Sequence, residues 1–241
     1  AVNVRNGSTV IIEGGKFSGG KNKTLSAAAG ATLIVKGGFF DQDPSAFVET
    51  DYTTINMNTT KEYGYAVMKG SENNGSYNIL IEDTAALEFF AEVVDYEYTF
   101  AGDVVNLEGD IDLYEADENG EAKCFDPIGS YRFETAFMGT FDGQGHTIKN
   151  LYQNGWDLGY DYDHYGSYGL FGNLENATVK NVVIEGSESY IEGGDVSFIA
   201  GSATGDCVFE NITIINLTIR IRLILIFLSG EVLLELCFVM F

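Results

Sequence analysis

The chain has 241 residues and a formal charge of −23, from 36 acidic and 13 basic side chains. Apolar residues make up 45%, enough to bury a core and too many for a disordered chain. With so few cations no positive face can be assembled to displace counterions, which excludes nucleic acid and argues against anionic membranes as partners. The composition favours short strands and tight turns, with 29 Gly against 2 Pro, and 17 Phe and 14 Tyr. The chain opens AVNVRNGS, without Met or an apolar leader, which reads as a mature or trimmed start. Cys124, Cys207 and Cys237 are odd in number and far apart; they offer neither a disulfide framework nor CxxC spacing, and buried thiols are expected for all three.

Two nonapeptides repeat near the start, TVIIEGGKF (9–17) and TLIVKGGFF (32–40), at an offset of 23 residues. That offset suits one coil of a parallel β-helix, whose strands stack on those one coil earlier at ~4.8 Å. Gly14, Gly15, Gly37 and Gly38 are expected where the chain turns with unusual φ. Residues 44–136 follow a different pattern. DPSAFVETDYTTI reads as a turn and an exit strand, EYGYAVM and SYNILIE as strands. Residues 84–95 carry Leu87, Phe90, Ala91 and Val94 at helical spacing, with Thr84 as a plausible N-cap. YTFAGDVVNLEGDIDLYE returns to strand. ADENGE (116–121) begins like a calcium loop but lacks the D-x-D-x-D-G ladder, and reads as a turn.

In FMGTFDGQGHTIKNLY (137–152), Asp142-Gly143 and Gln144-Gly145 form two tight-turn pairs between the core residues Phe141 and Ile148. Asp142 and His146 belong to that turn. A glycosidase needs two carboxyls facing each other across the sugar, and a lyase needs a carboxylate cluster for Ca²⁺ plus a base; neither constellation is visible, so no catalytic residue is assigned. HTIKNLY, TVKNVVI and VFENITI repeat the same alternation at offsets of 31 and 30. Asn150, Asn181 and Asn211 recur in them at one phase, where stacked coils would join their amides in a ladder.

The stretch NGWDLGYDYDHYGSYG (154–169) interrupts this pattern. Trp156, Asp157, Tyr160, Asp161, Tyr162, Asp163, His164 and Tyr165 combine rings that stack on sugars with carboxylates that bond hydroxyls. Three readings stay open: a solvated loop folded on the coil, a glycan or protein contact, or a Ca²⁺ site through Asp157, Asp161 and Asp163. No other cofactor is expected. After Leu217 the composition changes abruptly, with 17 apolar residues among the last 24. Arg222, Glu231 and Glu235 break any run long enough for a membrane span. Residues 218–241 read as a cap on the open end, a self-association segment, or a product of truncation or frame shift without evolved role.

From AALEFFAEVV through DPIG, FMGTFDGQGHTIKNLY, YGLFGNLENATVKNVVIEG and FIAGSATGDCVFENITI, the chain resembles bacterial surface proteins carrying the GLUG motif. The resemblance implies a right-handed parallel β-helix of the pectate-lyase-like kind and an extracellular or cell-surface setting. It implies no settled activity. The expected fold is therefore an all-β, right-handed parallel β-helix solenoid with one short inserted α-helix. Its parts are residues 1–80 (N-terminal coils and an irregular strand region, or a separate small β unit), 81–217 (GLUG-like coils) and 218–241 (apolar tail). The leading functional reading is a non-enzymatic surface, adhesin-type or structural module presenting loops to a glycan or a surface protein. The alternatives are a polysaccharide lyase or glycoside hydrolase on the same scaffold, and a phage or filament component assembling through the tail.

Overall fold

The computed structural model describes residues 1–59, 61–116, 120, 122–130, 134–154, 167–186, 188–191, 195–227 and 230–240. The fold is all-β, with one α-helix, Thr84–Asp95, and one 3-10 turn, Ser45–Phe47, among the described residues. At the N-terminus three strands, Val2–Val4, Thr9–Ile12 and Lys16–Phe17, are each matched in parallel by Leu25–Ala27, Thr32–Val35 and Gly38–Phe40. Val10 lies opposite Leu33 and Phe17 opposite Phe40, each pair 23 residues apart. The rings of Phe17 and Phe40 stack at 5.2 Å.

Only the second glycine of each GG pair has a left-handed backbone: Gly15 at φ 102° and Gly38 at φ 111°. A Cβ on Gly37 would meet the Glu13 carbonyl oxygen at 2.4 Å, whereas Gly14 has open space around it. Gly37 is thus required by the close approach of the rung below, and Gly38 by its dihedral angle.

The stack is then interrupted. Gly38–Phe40 pairs antiparallel with Tyr65–Asn73, which also pairs antiparallel with Tyr52–Asn56 and with Ser76–Ile81. The last hairpin turns through Asn74 (φ 53°) and Gly75 (φ 85°), the two positive dihedrals that a tight type I′ turn demands. The large sheet is consequently mixed, with its antiparallel block in the stretch that the sequence marks as an irregular strand region between two sets of repeats. Antiparallel pairing arises because the 52–81 strands are joined by short links that reverse direction, with no coil-length connection between them.

The helix runs over the residues expected. Its N-cap is Asp83, not Thr84: the Asp83 carboxylate accepts from the Ala86 N–H at 2.8 Å. Thr84 instead donates its hydroxyl to the Asp112 carbonyl at 3.0 Å. Leu87, Phe90, Ala91, Val93 and Val94 are buried. Phe90 meets Phe100 edge-on at 5.0 Å and Phe137 at 5.5 Å, and Phe137 stacks on Phe171 at 5.5 Å. One core cluster surrounds these rings; a smaller one holds Val4, Ile12, Leu33, Val35 and Phe40. The neighbouring residues Phe39 and Phe40 point to opposite sides of their strand, one into each cluster.

Parallel stacking resumes at Ser76–Ile81 and continues through Val104–Leu107, Thr140–Asp142, Thr178–Glu185 and Val208–Ile215. A second column holds Ile111–Asp112, Thr147–Lys149 and residues 183–185. A third holds Tyr152–Asn154, Glu188–Ile191 and Leu217–Phe227. A further parallel pair joins Phe171–Glu175 to Ala200–Thr204. Val182 lies opposite Ile212. The tail forms neither a helix nor a single strand: Leu217–Phe227 and Gly230–Met240 make an antiparallel hairpin.

Corners between columns are made by residues with positive φ. Asn181 (54°) and Asn211 (53°) stand at the same level of successive rungs. Asn211 Nδ2 donates to Asn181 Oδ1 at 2.9 Å, and Asn181 Nδ2 donates to Asp142 Oδ1 at 3.0 Å. The register differs from the sequence alignment at Asn150. Asp142 pairs with Lys180 and Thr147 with Val183, so four residues of the GQGH turn occupy the place of only two, Asn181 and Val182. Asn150 (φ 56°) therefore falls in the next corner, level with Gly186 (64°) and Asn216 (55°). Its amide donates to Asp112 Oδ1 at 2.7 Å.

Asn181→Ala should cost ~1–3 kcal/mol, because alanine pays the left-handed penalty and loses the amide rung. Asn181→Gly should cost less, since it forfeits the hydrogen bonds alone. Denaturant unfolding of the two variants checks this; equal losses would mean that the dihedral angle is unimportant at this corner.

Candidate functional site

The helix has two working faces. Leu87, Phe90, Ala91 and Val94 enter the core, while Glu88, Phe89, Glu92, Asp95 and the following Tyr96 line a groove. The opposite wall comes from Lys16 of the N-terminal repeat, from Lys61, and from the segment Lys123, Cys124, Phe125 and Asp126. The space enclosed is about 740 Å³, a size that accommodates a small ligand.

Charge in the groove is arranged in pairs. Lys16 Nζ lies 2.5 Å from Glu92 and 5.1 Å from the centre of the Tyr96 ring. Lys61 Nζ donates to the Asp95 carbonyl at 2.9 Å, a cation placed on the negative end of the helix, and stands 3.4 Å from Glu97. Lys123 bridges Glu88 at 3.3 Å and Glu115 at 2.8 Å. Hydrogen bonding to Glu92 leads in raising the Lys16 ammonium above its usual range, and hydrogen bonding to Glu115 does so for Lys123.

Asp95 is the unusual group. Burial pushes its carboxyl up to about 7; the Thr135 hydroxyl, donating at 3.2 Å, opposes that rise, and the negative charge of Asp126 adds to it. A half-buried carboxyl that titrates near neutrality beside a second carboxyl can donate a proton or report on pH. Sequence reading placed Asp95 only as the last residue of a helix. The groove joins segments from around residues 16, 61, 85–96 and 123–126, and no local pattern announces that meeting.

The loop residues singled out in the sequence, Trp156, Asp157, Tyr160, Asp161, Tyr162, Asp163, His164 and Tyr165, lie outside the described residues. Asp142 and His146 do not form a pair. Burial acts against ionisation of Asp142, but the Asn181 amide, the Gln144 N–H and Lys180 at 3.2 Å hold its carboxyl below the usual range. His146 closes the turn by donating its backbone N–H to the Gly143 carbonyl at 2.8 Å, and its ring stands 3.5 Å from Asp110. Among the described residues, no cluster of three or more His, Cys, Asp or Glu is placed to hold a metal ion. Cys124 and Cys207 are half-buried where burial was expected. The Cys207 thiol lies 3.2 Å from the Thr204 carbonyl.

No family model matches the chain, and no solved structure matches it. A stretch of 157 residues, 64% of this chain, is 29% identical to halomucin of Haloquadratum walsbyi (strain DSM 16790 / HBSQ001). The chain spans 2% of the length of that relative. Among the described residues, no helix is long and apolar enough to cross a membrane.

The Asp95 carboxyl gives a signed pH dependence. Its folded value of about 7 lies above the ordinary 3.8, so the folded state binds the extra proton between those limits. This contribution to stability is present below about pH 4 and is lost as pH rises through 7. Asp95→Asn should therefore raise stability at pH 8 by ~2 kcal/mol and leave it nearly unchanged at pH 4. Melting curves of both proteins at the two pH values check this; an equal shift at both would deny Asp95 its raised affinity for the proton.

Proposed function

We propose that the chain is a non-enzymatic extracellular or cell-surface module, a right-handed parallel β-helix of the GLUG kind that presents exposed features to a glycan or a surface protein. The observation that carries this reading is where the recurrent polar residues go. Asn150, Asn181, Asn211 and the Asp residues below them bond one another at corners of the stack, where they hold rungs in register. Repeated coils joined this way make a rigid, acidic rod suited to displaying loops. The partial likeness to halomucin supports a surface setting. The contact surfaces in this reading are the 154–169 loop and the groove beside the helix, where Phe89 and Tyr96 supply rings and Glu88 and Glu92 supply acceptors.

A second reading has one specific observation in its favour. Asp95, its carboxyl raised to about 7 by burial, shares the groove with Asp126, and a raised acid with a second carboxyl in the same cleft is the kind of pair that glycoside hydrolysis uses. It makes the groove a polysaccharide-cleaving site on the same scaffold.

A glycan array and a pull-down from cell-surface extract discriminate these readings. Under the first, the wild type binds, and Trp156→Ala or Tyr96→Ala weakens binding about tenfold, a loss of ~1.4 kcal/mol. Under the second, incubation with acidic and neutral polysaccharides releases reducing or unsaturated ends, and Asp95→Asn abolishes the release. Neither binding nor cleavage would leave the chain a spacer.

A further inference from the structure

The two ends of the stack are finished differently. On the first N-terminal rung the inward residues Val4 and Ile12 are already covered, at 2% and 6% exposure. On the last rung of the main column they are not. Val179 and Ile184 are fully buried, yet the residues directly above them, Phe209 and Ile214, are 47% and 41% exposed. Val208 and Ile215 on the outer face are also exposed, at 49% and 38%. Among the described residues, the strand Val208–Ile215 is paired on one edge only, with Thr178–Glu185. Its other edge is therefore a row of backbone donors and acceptors bounded by apolar side chains, the template for adding another strand.

The geometry points to a second copy of this chain as the occupant, with the two Val208–Ile215 strands joined antiparallel about a two-fold axis between Asn211 and Ile212. Two observations select that partner. First, the strand is self-complementary. The corner at Asn211 shifts the alternation, so Phe209, Ile212 and Ile214 face inward while Val208, Glu210, Thr213 and Ile215 face outward. Antiparallel pairing about that centre sets Phe209 against Ile214, Val208 against Ile215 and Glu210 against Thr213, with the corner residue Asn211 meeting Ile212 at the axis. Second, charge permits it. Residues 208–241 carry two arginines and three glutamates, a net of −1, while the whole chain carries −23. This end is where two copies meet with least repulsion. The contact is isologous, one copy's Val208–Ile215 strand on the other's, so the assembly closes as a pair instead of growing into a filament.

Sedimentation equilibrium of the whole chain should give twice its 26.3 kDa mass. Phe209→Glu should weaken that association at least about tenfold, by placing a charge opposite Ile214 of the other copy. Ile11→Glu, on the exposed outer face of the N-terminal end, should leave it unchanged. Hydrogen exchange on the unmodified protein needs no variant to fold: amides of 208–215 should gain protection as concentration rises. A monomer at every concentration, protection of 208–215 independent of concentration, polymers of open-ended size, or a dimer lost through Ile11→Glu would each overturn the tail-to-tail pair.

Discussion

The structure depends on one constraint: each parallel strand must lie in register on the parallel strand it pairs with, and the chain must bend at the same level in both. Parallel strands leave no freedom at those bends, because a corner that drifts by one residue turns every later side chain to the wrong face. The bends are made with left-handed backbone, which L-residues other than Gly and Asn take at a cost. Asn181 and Asn211 meet the need in one column, and Asn150, Gly186 and Asn216 in the next. Asn176 (φ 49°) and Gly205 (φ 70°) do so in a third. Close approach adds a second demand. A Cβ on Gly143 would come within 2.5 Å of the Asn181 carbonyl oxygen, so the wide GQGH turn fits against the next coil only with glycine there.

The interruption of this regular stack creates the groove. Residues 52–81 reverse direction in antiparallel strands, and the helix inserted after them has only one face covered by the aromatic core. Its other face meets Lys16 and Lys61 from segments that the antiparallel region brings alongside. Asp95, on the boundary between core and groove, loses water without gaining a cation on its carboxylate, since Lys61 bonds its backbone carbonyl instead. Burial is therefore the main origin of its proton affinity, and the nearby Lys61 charge only partly opposes it.

Residues with a local, periodic signal could be read from the sequence, and residues defined by distant meetings could not. The 23-residue offset correctly brings Val10 opposite Leu33, and the Asn repeats bring Val182 opposite Ile212. The helical spacing of Leu87, Phe90, Ala91 and Val94 fixes both the helix and its buried face. Thr84 was the plausible cap because hydroxyls cap well, but Asp83 is one residue earlier and its carboxylate reaches the Ala86 N–H. Asn150 was aligned by sequence similarity alone. Similarity does not reveal that the GQGH turn holds two more residues than the corner above it. The antiparallel block gave strand signals without directions, since alternation is the same in either sense. The groove gave no signal, because its walls are separated by up to a hundred residues or more.

The amide ladders also have a direction, and the acidic composition sets it. A carboxylate only accepts, so the rung above Asp142 must donate to it, and Asn181 does so with Nδ2. That leaves Asn181 Oδ1 facing the next coil, where Asn211 donates in turn. Asp112 fixes the orientation of Asn150 in the same way. The carboxyl of Asp112 is held below its usual range chiefly by that amide, with the Tyr114 N–H assisting. Aspartate at the foot of a column thus makes every amide above it unambiguous, and an all-Asn column would have two equivalent orientations. Some of the chain's many acidic residues thereby specify the stack. The device stops where the corner is glycine: Gly186 stands above Asn150 with no amide to continue the ladder, and Asn216 beyond it reaches Glu185 instead.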